Sequence, residues 1–291
     1  MKPPVFDYVA PESLDGALDA LAEHGYDAKI LSGGQSLIPL LNFRLAQPGI
    51  LIDLNRIGGL DEIRLDESGN LRIGGMTRVG TLEREPLVAE HAPLLFETVP
   101  SIAHPQIRNR GTVGGSLAHA DPSGELPVIA VASGAQLTLR SPKGERTVAA
   151  EDFFVGLMTT DLAMDEILVE VSLPPLPPRT GTAFVEIARR LGDYAQAGVA
   201  AVVTLGDDDR VADARLVYLS AGDIPMQAPR AVELLRAEGV SEAVIEKAAR
   251  LAAAEEIEPS DDIHASAAFK RHLATVVTKR ALAVAIERAR S

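Results

Sequence analysis

The chain has 291 residues, 46% hydrophobic and 24% charged, which is enough apolar material for one large or two smaller globular domains. Its 28 basic and 41 acidic residues leave a net charge of −13, which disfavours nucleic acid and anionic membrane as partners. With no cysteine, the chain can form no disulfide, thiolate metal site, cysteine nucleophile or cysteine-ligated iron–sulfur cluster of its own. No apolar run approaches the roughly 20 residues of a membrane span. The first residues carry no signal-like apolar stretch, so a cytoplasmic protein is expected. Any redox chemistry then needs a bound organic cofactor.

Ser13 stands at an N-cap position ahead of Leu14, Ala17, Leu18 and Leu21 at helical spacing, and Gly25 ends that helix. A short buried strand over 28–31 runs directly into Ser32-Gly33-Gly34-Gln35-Ser36. Helical character follows over 37–43, and 50–54 reads as a second strand. Residues 71–74 suggest another strand, Thr77 opens a helical stretch, and Pro86 opens a further helix. A polar run, Pro105 to Arg110, precedes the second glycine segment, Gly111 to Ser116. Residues 126–132 read as an apolar helix, and 136–139 and 167–173 as strands. Four prolines among Pro174-Pro175-Leu176-Pro177-Pro178 then enforce an extended connector. This divides the chain into domains at 1–175 and 179–291. Strands at 183–187, 198–204 and 214–219 come next, followed by helices at 228–237, 241–254 and from 265 onward. The last helix carries an apolar stripe of Phe269, Leu273, Val276 or Val277, and Ala281. Strands followed by helices indicate α+β structure.

The two glycine segments carry the chemical signal. A diphosphate is bulky and doubly charged, and successive backbone N–H groups hold it where no Cβ obstructs approach. Gly33 and Gly34 follow a strand, with Ser32 and Ser36 as hydroxyl donors; a helix starting near Ser36 adds further amides. Thr112-Val113-Gly114-Gly115-Ser116 repeats the pattern. One such pair alone is more often a tight turn, but two hydroxyl-flanked pairs match the two phosphates of a dinucleotide. Neither fits G-x-G-x-x-G or the Walker spacing, which argues against a Rossmann or P-loop site.

The run Leu31-Ser32-Gly33-Gly34-Gln35-Ser36-Leu37-Ile38-Pro39, with Arg44-Leu45-Ala46 and Ile52-Asp53-Leu54, resembles the first FAD loop of a known group. That group is the flavoprotein (medium) subunits of molybdenum hydroxylases, the carbon monoxide dehydrogenase and xanthine dehydrogenase relatives. Ile107 through Pro122, which includes Arg108-Asn109-Arg110-Gly111-Thr112-Val113-Gly114-Gly115-Ser116 and Leu117-Ala118-His119-Ala120-Asp121, resembles their second loop. Arg189-Arg190-Leu191-Gly192-Asp193-Tyr194-Ala195, with Gly198-Val199-Ala200-Ala201, is similar to the segment that enters on the flavin side. The resemblance extends to Phe269-Lys270-Arg271-His272-Leu273.

The resemblance implies a vanillyl-alcohol-oxidase (PCMH)-type FAD-binding domain in two α+β subdomains, followed by a smaller α+β C-terminal domain. It further implies an oxidoreductase subunit that carries FAD. Electrons then arrive from [2Fe–2S] clusters on a small subunit, and substrate is oxidised at a molybdenum–pterin centre on a large subunit. The assembly it suggests is a dimer of heterotrimers, and the external acceptor would be NAD, a quinone or oxygen. The absence of cysteine agrees with that division of labour. The implied cofactor residues are Ile30, Leu31, Ser32, Gly33, Gly34, Gln35, Ser36 and Leu37, then Thr112, Gly114, Gly115, Ser116 and Ala118. Asp121, Glu125, Leu168 and Tyr194 complete the set, with Tyr194 beside the flavin and no metal ligand among them.

Each of these side chains also has a bland reading. Asp121 fits an ordinary Asp-Pro turn, Glu125 a solvated loop acid, and Tyr194 a core aromatic. Arg108 and Arg110 suit either phosphate or a salt bridge. Gln35 stands where many relatives carry His. His104 and His119 lack metal-ligand spacing and read as structural, and Ser123 sits in no nucleophile elbow. The competing functional reading is a self-sufficient FAD oxidoreductase of the same fold.

Overall fold

The computed structural model describes residues 2–291. Its first layer consists of β1 (Asp7–Val9), α1 (Leu14–His24), β2 (Ala28–Leu31), α2 (Leu37–Asn42) and β3 (Ile50–Asp53). The strand order is β1-β3-β2, with both outer strands parallel to β3. The Ser13 hydroxyl caps α1 by accepting from the Gly16 amide at 3.2 Å, and Gly25, at φ 51°, ends it. Ala17, Leu18 and Leu21 then face Ile50 and Ile52 of the sheet. Because Leu31 pairs with Asp53, β2 and β3 end level, and Ser32 emerges beside Asn55. Strand β1 has no sequence signal: its three residues, two of them exposed, are too few to show alternation.

The second layer contains β4 (Ile63–Leu65), β5 (Leu71–Gly74), α3 (Val79–Leu82), α4 (Pro86–His91), α5 (Pro93–Thr98), α6 (Pro105–Arg108) and α7 (Val113–His119). It continues with α8 (Glu125–Ala132), β6 (Gln136–Ser141), β7 (Gly144–Ala149), α9 (Ala150–Phe153), β8 (Phe154–Gly156), β9 (Thr159–Thr160) and β10 (Ile167–Leu173). Its main sheet is antiparallel, in the order β4-β5-β10-β6-β7, with a register shift in β10 between Leu168 and Glu170. Met76, Ile167 and Val169 join this sheet to the core of the first layer. Thr77 precedes α3 rather than opening it, because residues 77–79 extend to pair with 111–113.

Beyond the proline segment come β11 (Thr180–Ile187), β12 (Ala197–Leu205), β13 (Val211–Leu219) and β14 (Met226–Gln227), an antiparallel sheet in sequential order. Helices α10 (Pro229–Glu238), α11 (Glu242–Glu255) and α12 (Ala267–Arg290) follow. Strand β12 is an apolar run because both of its faces are buried: Val199, Ala201 and Val203 point into the helical core, Ala200 and Val202 into the core shared with α8. α8 is buried all round for the same reason, since it packs against β12 and β13 on one side and α7 on the other.

Helix α12 lies on this sheet through Val277, Leu282 and Ile286, each contributing roughly 1.5–3 kcal/mol by burial. Gly181 allows the close approach, since a Cβ there would stand 2.5 Å from the Ala289 amide nitrogen. Phe269 leaves the expected stripe: it is 47% exposed and stacks on His272. The buried face instead begins at Lys270, whose ammonium reaches Asp262 at 2.7 Å. The protein is α+β throughout, as its sequence suggests.

Candidate functional site

Two glycine segments meet at the ends of β2 and α7. The first is a true loop: residues 32–36 form no regular structure, Gly34 takes φ 73°, and α2 starts after Ser36. The second is a helix start. Thr112 caps α7, its hydroxyl accepting from the Gly115 amide at 3.1 Å, so Gly114 and Gly115 occupy the first helical turn. The polar run ahead of it forms the short helix α6.

The glycines are needed for a different reason than cofactor approach alone. A Cβ on Gly33 would stand 2.7 Å from Gly111 Cα and closer still to the Arg110 carbonyl oxygen. One on Gly114 would lie 2.8 Å from the Gly75 oxygen, and one on Gly115 2.6 Å from Thr112 Oγ1. Gly33 and Gly114 thus let backbone pack on backbone, bringing β2, β5 and α7 together. Gly34 alone requires left-handed backbone, which glycine adopts without strain.

The two segments also differ in what they offer a ligand. Val113 N–H donates to Thr77 O at 3.0 Å, Gly114 N–H to Gly75 O at 2.8 Å, and Ser116 N–H to Thr112 O at 3.0 Å. The amides of the second segment are therefore spent within the fold. Among the described residues, no protein acceptor takes the amides of Gly33, Gly34, Gln35 or Ser36. Four consecutive open donors on a rigid turn suit a diphosphate, so the residues present fit the FAD implied by sequence. Gln35 folds back onto its own loop, Nε2 donating to Gly33 O at 3.0 Å. Ser32 on the loop lies against the first turn of α7, its Cβ 3.4 Å from where a Cβ on Gly115 would stand.

Past α7, acidic side chains and a tyrosine gather toward the C-terminal sheet. Glu125, in the first turn of α8, is 8% exposed, and burial and nearby Glu186 push its carboxyl up to about 8. Glu186 on β11 is raised to about 7 by burial, and its Oε2 has no partner among the described residues. Tyr194 is 67% exposed as a residue, yet its hydroxyl is raised to about 12, by burial first and then by Asp121. Asp121 itself builds the turn into α8, accepting from the Ser123 amide at 2.9 Å. The turn is tied to the C-terminal sheet, because Ser123 Oγ donates to Ser220 Oγ at 2.9 Å, while Ser220 Oγ donates to the Ala195 carbonyl. Glu186 escapes sequence reasoning: it sits one residue from the end of β11 with no motif around it, and only tertiary packing brings it to Glu125.

The remaining sequence candidates divide by position. Ile30 and Leu31 are half-buried at the end of β2, Leu37 is half-buried at the start of α2, and Ala118 is exposed near the end of α7. Leu168 is 6% exposed in the core, one layer behind Gly114, where its carbonyl crowds Gly75. Arg108 is buried, paired with Glu83, and donates to the carbonyls of Ile102 and Ala103 at 2.9 Å, so it is structural. Arg110 is exposed and contributes its backbone carbonyl to the loop junction. His104 precedes α6, His119 lies in the last turn of α7, and no metal-binding cluster occurs among the described residues. No helix among them is long and apolar enough to cross a membrane.

Residues 4–176 match the family model described as the FAD binding domain in molybdopterin dehydrogenase, and residues 182–285 the CO dehydrogenase flavoprotein C-terminal domain. The chain is 42% identical to the 6-hydroxypseudooxynicotine dehydrogenase complex subunit alpha of Paenarthrobacter nicotinovorans, covering 100% of this chain and 97% of that protein. It is 38% identical to the carbon monoxide dehydrogenase medium chain of Hydrogenophaga pseudoflava, covering 97% of each. Among solved structures, carbon monoxide dehydrogenase from Hydrogenophaga pseudoflava superposes with TM-score 0.95 at 38% identity, over 99% of both chains. Quinoline 2-oxidoreductase from Pseudomonas putida 86 superposes with TM-score 0.94 at 38% identity, over 100% of both. The chain therefore belongs to the family of FAD-binding medium subunits of molybdenum-containing dehydrogenases, and is an oxidoreductase subunit.

Proposed function

We propose that this chain is the FAD-carrying electron-transfer subunit of a multi-subunit molybdenum hydroxylase. It receives electrons from [2Fe–2S] clusters on a small subunit and delivers them to an external acceptor, while substrate is oxidised at a molybdenum–pterin centre on a large subunit. The observation that carries this reading is the first glycine loop, four consecutive open amides held rigidly against α7. FAD, when bound, supplies the redox chemistry.

The chain's own residues bind, orient and handle protons. The amides of Gly33, Gly34, Gln35 and Ser36 take the diphosphate, and Ser32 and Ser116 add hydroxyls from the two segments. Burial lets Glu125 and Glu186 hold protons near neutral pH. Tyr194 covers the outer side of the flavin region. The connector at 174–178 separates an FAD-binding domain, 1–175, from a C-terminal domain, 179–291, that closes over the isoalloxazine. The lack of cysteine supports electron entry from another polypeptide. Relatives named as subunits or medium chains of dehydrogenase complexes support an assembly with large and small partners, arranged as a dimer of heterotrimers.

A second reading, a self-sufficient FAD oxidoreductase of this fold, draws on the protonated Glu125 and Glu186 as potential donors to a substrate. Purification of the full chain, alone and from its native host, separates the readings. Yellow protein releasing FAD, which co-purifies with molybdenum and iron–sulfur polypeptides, is the expected result. Flavin-free chain that cannot be reconstituted with FAD refutes both. Yellow chain that turns over a substrate without partners favours the second.

A further inference from the structure

The two glycine segments do not simply lie near one another; a hydrogen-bonded clamp joins them. Asn55, just beyond β3, donates through Nδ2 to the Ser32 carbonyl at 2.8 Å, and so holds the entry of the first loop. Its Oδ1 accepts from Arg78 Nη2. The other arm of Arg78, Nη1, donates to the Arg110 carbonyl at 2.5 Å, immediately before the second segment. That is the same carbonyl against which Gly33 packs.

Each end of the clamp is itself anchored. Asn55 Nδ2 also donates to Asp53 Oδ1 at 2.5 Å, and Asp53 Oδ2 accepts from the Tyr8 hydroxyl at 2.6 Å. Arg78 is fixed through its backbone: it bridges Thr112, and Val79 N–H donates to Gly111 O at 2.9 Å. The path Tyr8, Asp53, Asn55, Arg78, Arg110 thus crosses from the first sheet to α7 without a gap. One planar guanidinium meets Asn55 Oδ1 and the Arg110 oxygen with two separate arms, a fixed fork that a lysine ammonium lacks.

We propose that Arg78 and Asn55 are positioning residues for FAD, setting the separation between the first glycine loop and α7 so that both engage one diphosphate. The assignment rests on the reading that these segments hold FAD. Neither residue need touch the cofactor. The geometry predicts that losing either arm lets the loop drift from α7, weakening FAD binding while the cores of the three sheets stay intact. Arg78 also brings a positive charge toward the diphosphate, and that contribution must be separated from the clamp.

The test uses the full chain as wild type, Arg78→Lys, Arg78→Gln and Asn55→Ala. FAD dissociation constants are measured by flavin fluorescence at low salt and in high NaCl, and melting temperature with and without FAD. The clamp predicts that Arg78→Lys and Asn55→Ala each weaken FAD binding about tenfold or more at both salt concentrations. It also predicts that FAD-free melting temperatures stay near wild type while the FAD-induced increment shrinks. Wild-type affinity in Arg78→Lys, or a defect confined to low salt, assigns Arg78 a charge role only and overturns the clamp. Wild-type affinity in Asn55→Ala overturns it independently, as does a loss of affinity matched by collapse of the FAD-free protein. A wild-type chain that binds no FAD refutes the underlying reading instead.

Discussion

Replacing Glu125 by Gln removes a carboxyl that the fold keeps protonated to about pH 8, through burial first and the charge of Glu186 second. In the unfolded chain the same group loses its proton near 4.5. Between those values the folded state binds the extra proton, so stability is fully present below pH 4.5 and is lost as pH rises through the window. A shift from 4.5 to about 8 corresponds to about 5 kcal/mol across the window, of which about 3 kcal/mol is lost by pH 7. Glutamine cannot ionise, so Glu125→Gln and wild type melt alike near pH 5 and diverge above it. For a protein of this size the divergence at pH 7 amounts to roughly 6–12 °C in Tm, the variant being the more stable. Scanning calorimetry of both proteins in half-unit steps from pH 5 to 9 measures it. Parallel Tm curves, separated by the same amount at every pH, would refute the claim that Glu125 is neutral in the fold.

Three further outcomes test the packing. Gly33→Ala puts a Cβ 2.7 Å from Gly111 Cα, so the flavin-to-protein ratio and the melting temperature should both fall, and a variant with wild-type flavin content contradicts the close approach. Tyr218→Phe, at the buried hydrogen bond to Thr278 at 2.8 Å, should cost only about 1 kcal/mol, because the Thr278 hydroxyl keeps its bond to Ala274 O. Thr278→Val strands the Tyr218 hydroxyl and should cost more, about 1–3 kcal/mol; chemical denaturation giving the reverse order counts against the assignment. Glu97→Ala removes both the acceptor for Phe184 N–H at 2.8 Å and the partner of Arg288 at 2.5 Å, which joins α5 to β11 and α12. A drop of about 1–3 kcal/mol is expected from the denaturant midpoint, and none at all would mean that the two parts hold together without it.

Much of this protein is legible in its sequence wherever the signal is local. Ser13 and the spacing of Leu14, Leu18 and Leu21 announce α1, and the run from Gly198 to Thr204 announces a strand. The flanks of the glycine pairs resemble one flavoprotein family closely enough to name it, and the fold agrees. Strands β1, β4, β7, β8, β9 and β14 are silent because they are short, polar or exposed, so no period of two emerges. On α12 the buried face lies one position from the expected Phe269, since Lys270, with its charge met by Asp262, takes the inward place.

The sequence by itself determines the building blocks and the family, because caps, periodicity and glycine turns act over a few residues. Only the tertiary structure decides what the glycines are for. Gly33 must be small because a carbonyl from Arg110 lies against it, and Gly114 because Gly75 does. The same holds for Glu186 opposite Glu125 and for Arg78 between Asn55 and Arg110. Such contacts join residues far apart in the chain, and their geometry is set by how sheets and helices pack, which no local pattern encodes.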